Sequence, residues 1–203
     1  MLKELVIATK NPDKRKELTR LLKGVKIKVI SLEDYPECPE VKEGARCFRE
    51  NAVRKAMMVS RFLQKPALAD DSGLEVDALG GRPGVCSARF AGRDCSYADN
   101  NQKLLRLLKN KKLQERGAQF RCVAAFCVYP DIIGVVEGKI RGRIAESPQG
   151  KNGFGYDPVF IIPRYKKTFA QLSPRLKNEI SHRSRALKKA KKLIRGYFRG
   201  EKP

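Results

Sequence analysis

Between Pro66 and Gly92 the chain reads PALADDSGLEVDALGGRPGVCSARFAG, and this stretch limits the fold more than any other. A short apolar run ends in two adjacent carboxylates, Asp70 and Asp71, then meets Ser72-Gly73 and a cluster of glycines. An apolar strand that delivers Asp70-Asp71 to a glycine turn places negative charge at a strand end. Asp and Gly in such a place most often serve turn chemistry. Two neighbouring carboxylates also repel each other, a cost that a cation between them removes. A hard divalent ion such as Mg²⁺ takes carboxylate oxygens and would do so. Composition by itself favours the turn, and the wider pattern of the chain reverses that preference.

Read in order, Leu5 to Ala8 is a short apolar run with strand character. Thr9-Lys10-Asn11-Pro12 breaks it and suits a turn before a helix with proline near its first position. That helix is expected to bury Leu18, Leu21 and Leu22 and to stop at Gly24. Strand, polar loop and helix start in this order make an anion site, because the first helical N–H groups lack partners. Thr9 and Asn11 add hydrogen bonds and Lys14 a point charge; the glycines of a Walker-type loop are missing. Val25 to Ile30 reads as a second strand, and Tyr35 to Gly44 as an acidic loop with Glu37, Glu40 and Glu43.

Arg46 to Leu63 is expected to be helical, as is Tyr97 to Leu108. Phe120 to Tyr129 and Ile132 to Ile144 read as two long strands joined by Pro130-Asp131 in a hairpin. A Gly-rich loop, Ala145 to Tyr156, leads into a buried strand, Pro158 to Ile162. From about Pro174 to Phe198 one helix is expected, with Leu176, Ile180, Leu187, Ala190, Ile194 and Tyr197 on one face. The class is α/β, without the strict alternation of a doubly wound fold.

At 203 residues the chain is long enough for one substantial domain, with room for two lobes. No apolar run approaches a membrane span, and the N-terminal LVIA is too short for a signal-peptide core, so a soluble, cytoplasmic protein is expected. The six cysteines are scattered without a Cys-x-x-Cys pair, which suggests reduced, mostly buried thiols. His182 is the only histidine, which argues against zinc. The charge is +22, from 44 basic and 22 acidic residues, and Arg164 to Pro203 holds 14 Lys or Arg against Glu179 and Glu201. Such a surface attracts polyanions, nucleotides or nucleic acid; for the exterior of the C-terminal helix a solvated, lysine-rich face that keeps the protein soluble is the favoured reading. Nucleic-acid binding as the function rests on charge alone, against few aromatics and an Asp157 inside the main aromatic cluster, and is not the expectation.

Six motifs in order resemble the inosine triphosphate pyrophosphatase family, the non-canonical purine NTP pyrophosphatases. They are ATKNPDK with Thr9, Asn11 and Lys14; Glu50-Asn51-Ala52; Ala69 to Leu74; Gly84 to Phe90; Phe154 to Pro158; and Ser181-His182-Arg183. They span nearly the whole chain. The resemblance implies a long curved mixed sheet flanked by helices, one domain of two lobes with a central nucleotide-binding cleft, in a homodimer. It implies Mg²⁺-dependent hydrolysis of ITP, dITP and XTP to the monophosphate and pyrophosphate. Asp71 matches the general base and lies by the metal, while Asp70 is expected to support the turn. The loop of Thr9, Lys10, Asn11, Pro12, Asp13 and Lys14 would take the triphosphate, with Ser72 and Lys177 also on the nucleotide. Phe154, Gly155, Tyr156 and Asp157, with His182 and Arg183, would form the base pocket, the last two supplying donors to a 6-oxo oxygen. A glutamate shares the metal; VKEGARCF departs from the family pattern there, so Glu43 is the first choice, Glu40 the second and Glu37 the third. Lys55 reads as a surface lysine first and a phosphate contact second.

Overall fold

The computed structural model describes residues 3–41, 44 and 47–201. The N-terminal apolar run forms β1 (Glu4–Ile7), and Pro12 opens α1 (Pro12–Leu22) at the position where its missing N–H costs nothing. β2 (Lys28–Ser31) follows three residues later than the alternation implied. α2 (Phe48–Leu63) buries Phe48, Ala52, Ala56 and Val59, spaced three or four apart so that they share a face. β3 (Ala67–Val76) is next, then α3 (Tyr97–Leu107), β4 (Gly117–Val128), β5 (Asp131–Ile144), β6 (Phe160–Ile162) and β7 (Lys167–Thr168). Two helices, α4 (Pro174–Ile180) and α5 (His182–Arg199), complete the elements.

The seven strands make one mixed sheet in the order β2-β1-β3-β4-β5-β6-β7. β1 runs parallel to β2, with Leu5 opposite Val29, and parallel to β3, with Ile7 opposite Leu68. β6 runs antiparallel to both β5 and β7. The mixed α/β sheet inferred from sequence is therefore present. The hairpin between β4 and β5 turns at Tyr129-Pro130, one residue earlier than expected, because β5 begins at Asp131.

Two expectations about secondary structure fail. Ser72-Gly73 is not a turn: β3 runs straight through it to Val76. Ser and Gly favour turns in isolation, but an interior strand with neighbours on both sides imposes the extended backbone regardless of local preference. The long C-terminal helix is also two helices. Ser181, at φ −64° and ψ 160°, is extended and ends α4. Spacing alone hid the break because Leu176, Ile180 and Leu187 keep a helical period across it.

The chain divides into two compact units. One comprises the chain up to Asp71, Cys122–Gly138, and the chain from Arg183 onward. Its core packs Leu5, Ile7, Leu18, Leu22, Leu68, Cys122, Ala124 and Phe126 with Ala186, Leu187, Ala190 and Ile194 of α5. The other comprises Ser72–Arg121 and Lys139–His182. Its core joins Leu74, Val76, Leu104, Leu108, Phe120, Ile144, Tyr156, Phe160 and Phe169, with Leu176 and Ile180 of α4 against it. The apolar face read as one helix thus serves two separate cores, which is why the chain breaks at Ser181.

All six cysteines are free, but only Cys38, Cys122 and Cys127 are buried; Cys47 and Cys86 are exposed, against the expectation of mostly buried thiols. Burial pushes the Cys127 thiol up to about 11. No helix among the described residues is long and apolar enough to cross a membrane.

Candidate active site

Alternation along β3 sends adjacent side chains to opposite faces of the sheet, and this decides how Asp70 and Asp71 behave. Both are buried, at 1% and 4% exposure, yet each has its own cationic surroundings. Asp71 meets α2: Asn51 Nδ2 donates to its Oδ2 at 3.0 Å and Lys55 Nζ to its Oδ1 at 3.2 Å. Lys55 also donates to the Asp70 carbonyl at 2.8 Å, so one ammonium holds both the strand backbone and the carboxylate. Asn51 and Lys55 lie four apart and therefore share a face of α2. Lys55 is accordingly not a surface lysine, its side chain being only 12% exposed.

Asp70 looks the other way. Lys14 Nζ of α1 stands 3.6 Å from its Oδ2, Arg183 Nε of α5 donates to the same oxygen at 3.3 Å, and the Cys122 thiol lies 3.8 Å away. Arg183 Nη1 also donates to Glu17, one turn along α1 from Lys14. Lys14, Arg183, Asp70 and Glu17 form a charge-balanced quartet, with the guanidinium 3% exposed. Burial alone would lower the Arg183 pKa, but Asp70 and then Glu17 outweigh it and hold it raised, so the residue stays cationic. Asp70 does not support a turn; it anchors this quartet.

The N-terminus of α1 differs from the sequence argument. Asn11 caps it, its side-chain oxygen accepting from Asp13 N–H and Lys14 N–H at 3.0 Å each, while Pro12 has no N–H to offer. Asn11 N–H in turn donates to the Thr9 hydroxyl oxygen at 3.2 Å. The first-turn N–H groups are thus engaged inside the loop. Any anion held here meets mainly side chains: exposed Lys10, partly exposed Lys14 and the Thr9 hydroxyl.

The second unit holds the aromatic motif together. Tyr156 is buried and its hydroxyl donates to the Ser87 carbonyl at 2.9 Å; burial, then Cys95, raises its pKa. The Ser87 hydroxyl oxygen accepts from Leu74 N–H at 2.9 Å, tying the PGVCSARF segment to β3. Asn101 of α3 donates to the Gly155 carbonyl at 3.0 Å. Asp157, 2% exposed, accepts from Phe154 N–H at 2.8 Å and pairs with the Lys177 ammonium at 2.6 Å. Gly153 has φ +78°, and a Cβ there would meet Asp157 Oδ2 at 2.0 Å, so both its conformation and its space require glycine. Lys177 lies 4.6 Å from the centre of the Phe154 ring, a cation–π contact, and the ring is half-buried. His182 is buried and stacks on Phe120 at 4.6 Å with planes 12° apart.

The first unit therefore brings Lys14 and Arg183 onto Asp70, and Asn51 and Lys55 onto Asp71 on the opposite face; the second gathers Phe154, Gly155, Tyr156, Asp157, Lys177 and His182. Ser72 lies within β3 and is partly exposed. Ser181, His182 and Arg183 are buried. Among the described residues no group of three or more His, Cys, Asp or Glu is gathered as a ready metal cage. Glu43, the first-choice metal ligand, lies outside the described residues, and Glu40 and Glu37 are exposed on their loop. The Asp71 carboxylate is nonetheless the donor type Mg²⁺ takes, and Mg²⁺ is usually held by only one or two carboxylates plus substrate phosphates. Both Asp71 oxygens also accept from Asn51 and Lys55.

Asp71 is thus a buried carboxylate held by an amide and an ammonium, and its neighbour Asp70 meets the first turn of α1 through Lys14. The family profile described as "Ham1 family" matches residues 5–193, and the chain belongs to this family. A curated relative named dITP/XTP pyrophosphatase from Geobacillus kaustophilus is 51% identical over 188 residues, 93% of this chain and 92% of the relative. One of the same name from Desulforamulus reducens is 48% identical over 191 residues, 94% and 95% of the two chains. Among solved structures, a HAM1 protein from Coxiella burnetii matches with a TM-score of 0.86 at 40% identity, covering 96% of this chain and 98% of that one. The Ham1 protein of Staphylococcus aureus matches with a TM-score of 0.86 at 39% identity, covering 96% and 100%.

Proposed function

We propose that this protein hydrolyses the non-canonical purine triphosphates ITP, dITP and XTP to the monophosphate and pyrophosphate, removing them from the cytoplasmic nucleotide pool as a homodimer. The relatives' shared name supports the reaction, and the observation that carries the assignment of residues is Asp71, buried and aimed by Asn51 and Lys55. In this reading Asp71 takes the proton of the water that attacks phosphorus; the new P–O bond forms as the bond to the pyrophosphate oxygen breaks. Asn51 and Lys55 fix the direction in which the carboxylate oxygens point. Lys10 and Lys14, with Thr9, Asn11, Pro12, Asp13 and Ser72 shaping the surroundings, hold the triphosphate by charge, the main requirement of phosphoryl chemistry.

Asp71 with Glu43, or with Glu40 or Glu37, would hold Mg²⁺. The ion, when bound, neutralises phosphate charge. Phe154 offers a stacking face to the base, steadied by Lys177 and Asp157, with Gly155 and Tyr156 shaping the segment. His182 and Arg183 supply donors suited to a 6-oxo group, which adenine's amino group cannot accept.

Two substitutions test the parts. Lys14→Ala should weaken ITP and ATP about equally, because both carry the same phosphates; a change confined to ITP in kcat/KM would remove Lys14 from the phosphate site. Glu43→Gln should raise the Mg²⁺ concentration for half-maximal turnover more than Glu40→Gln does, and the reverse order would move the ligand. The reaction itself is tested by its products: ITP should yield IMP and pyrophosphate, and release of orthophosphate instead would contradict it.

A further inference from the structure

α5 carries eight Lys or Arg and no Asp or Glu. Arg183 lies in the buried quartet and is not part of this surface. Of the others, Arg185, Lys188, Lys192, Arg195 and Arg199 recur at spacings of three and four, so they form one row along the helix, and all five are exposed. At 1.5 Å per residue the row extends over roughly 21 Å. Like charges at these spacings cost a few tenths of a kcal/mol per pair. Elsewhere the protein relieves that cost: on α2, Glu50 stands four residues before Arg54, in the favourable order. The α5 row has no acidic residue within the helix; just beyond its end Arg199 pairs with the exposed Glu201 at 3.6 Å. It is widened by α1, because Lys191 and Arg195 donate to the carbonyls of Lys23 and Gly24 at 3.1 and 3.3 Å, beside the exposed Lys23 side chain. Burial, then the charge of Arg195, lowers the Lys191 pKa.

We propose that the outer face of α5, together with the Lys23–Gly24 turn, is a docking surface for the phosphodiester backbone of nucleic acid, bound without regard to sequence. The row is longer than a triphosphate and calls for an extended polyanion; duplex DNA presents a charge about every 1.7 Å of its axis. A membrane surface fits less well. Interfacial helices insert an apolar face, and that of α5, with Ala186, Leu187, Ala190 and Ile194, is already buried in the core. The two arguments from composition against nucleic acid lose their force here. Backbone docking needs no aromatics, and Asp157 is buried against Lys177 and presents no charge.

The test is fluorescence anisotropy with a labelled mixed-sequence DNA duplex across about 50–200 mM salt. A Kd near 10⁻⁴–10⁻⁶ M at physiological salt is expected, with a log–log salt slope of about −4 to −5 for five phosphates neutralised. The variant Lys188→Gln/Lys192→Gln/Arg199→Gln should lose about 2 to 3 from the magnitude of that slope. Lys109→Gln/Lys112→Gln/Lys167→Gln removes the same charge from exposed positions of the second unit and should leave the slope unchanged. Both triple variants should keep wild-type ITP turnover. Three results would overturn the proposal: no salt-dependent binding by the wild type, equal weakening by the two triples, or an α5-dependent binding of anionic vesicles without binding of DNA.

Discussion

Replacing Asp71 with asparagine is expected to lower kcat for ITP by about 10²–10⁴-fold, the usual worth of a positioned general base. Asparagine keeps the size of the side chain and an oxygen that can accept from Asn51 or Lys55, so the local geometry survives while the capacity to take a proton is lost. Loss of a metal-binding oxygen would deepen the defect. The comparison needed is kcat beside a melting curve. A variant that melts near the wild type and turns over at a comparable rate would remove Asp71 from the chemistry. Asn51→Ala should reproduce part of the defect, since it leaves the carboxylate in place but unaimed on one side.

The second large effect is expected at Arg183, where stability and selectivity change together. Truncation to alanine takes the guanidinium away from both Asp70 and Glu17, while Lys14 stays beside Asp70. Removing one partner of a buried ion pair costs about 3–5 kcal/mol, because the stranded charge keeps its desolvation penalty. For a chain of this size that is roughly 6–20 °C in Tm. Adding Asp70→Asn should recover part of the loss, since neighbouring changes that share a partner are not additive. Full additivity would mean that the two side chains do not interact. Selectivity is read as the ratio of kcat/KM for ITP to that for ATP, which is insensitive to the folded fraction because both substrates meet the same enzyme. That ratio should fall about tenfold or more, the worth of one hydrogen bond from a charged donor. An unchanged ratio would leave Arg183 with its role beside Asp70 alone.

What was legible in the sequence follows the range of the interactions involved. The extent of α1 was readable because its signals are local: proline at the first position, Leu18 and Leu22 on one face, Gly24 beyond; Leu21, expected to be buried with them, is only partly so. β4 and β5 were readable because long apolar alternation flanks a proline turn. Ser72-Gly73 was misread because local turn chemistry was overruled by an interior position in the sheet. Ser181 was misread because the apolar period crosses it while the cores it serves differ. The site divides the same way. Asp71 could be singled out from its motif, and Lys55 could have been paired with Asn51 by spacing on one helix. The link between Asp70 and Arg183, 113 residues apart, had no local signal at all. The capping of α1 by Asn11, in contrast, has a local signal, an asparagine directly before Pro12, and it turned an expected row of open N–H groups into one already satisfied.

The account stands most directly on substrate preference. The decisive measurement is kcat/KM for ITP, dITP and XTP beside ATP and GTP, with Mg²⁺ present and pyrophosphate release as the readout. The prediction is that the three non-canonical purines exceed ATP by tenfold or more, with one pyrophosphate formed per monophosphate. Equal rates across all five nucleotides, or faster turnover of ATP and GTP, would contradict it.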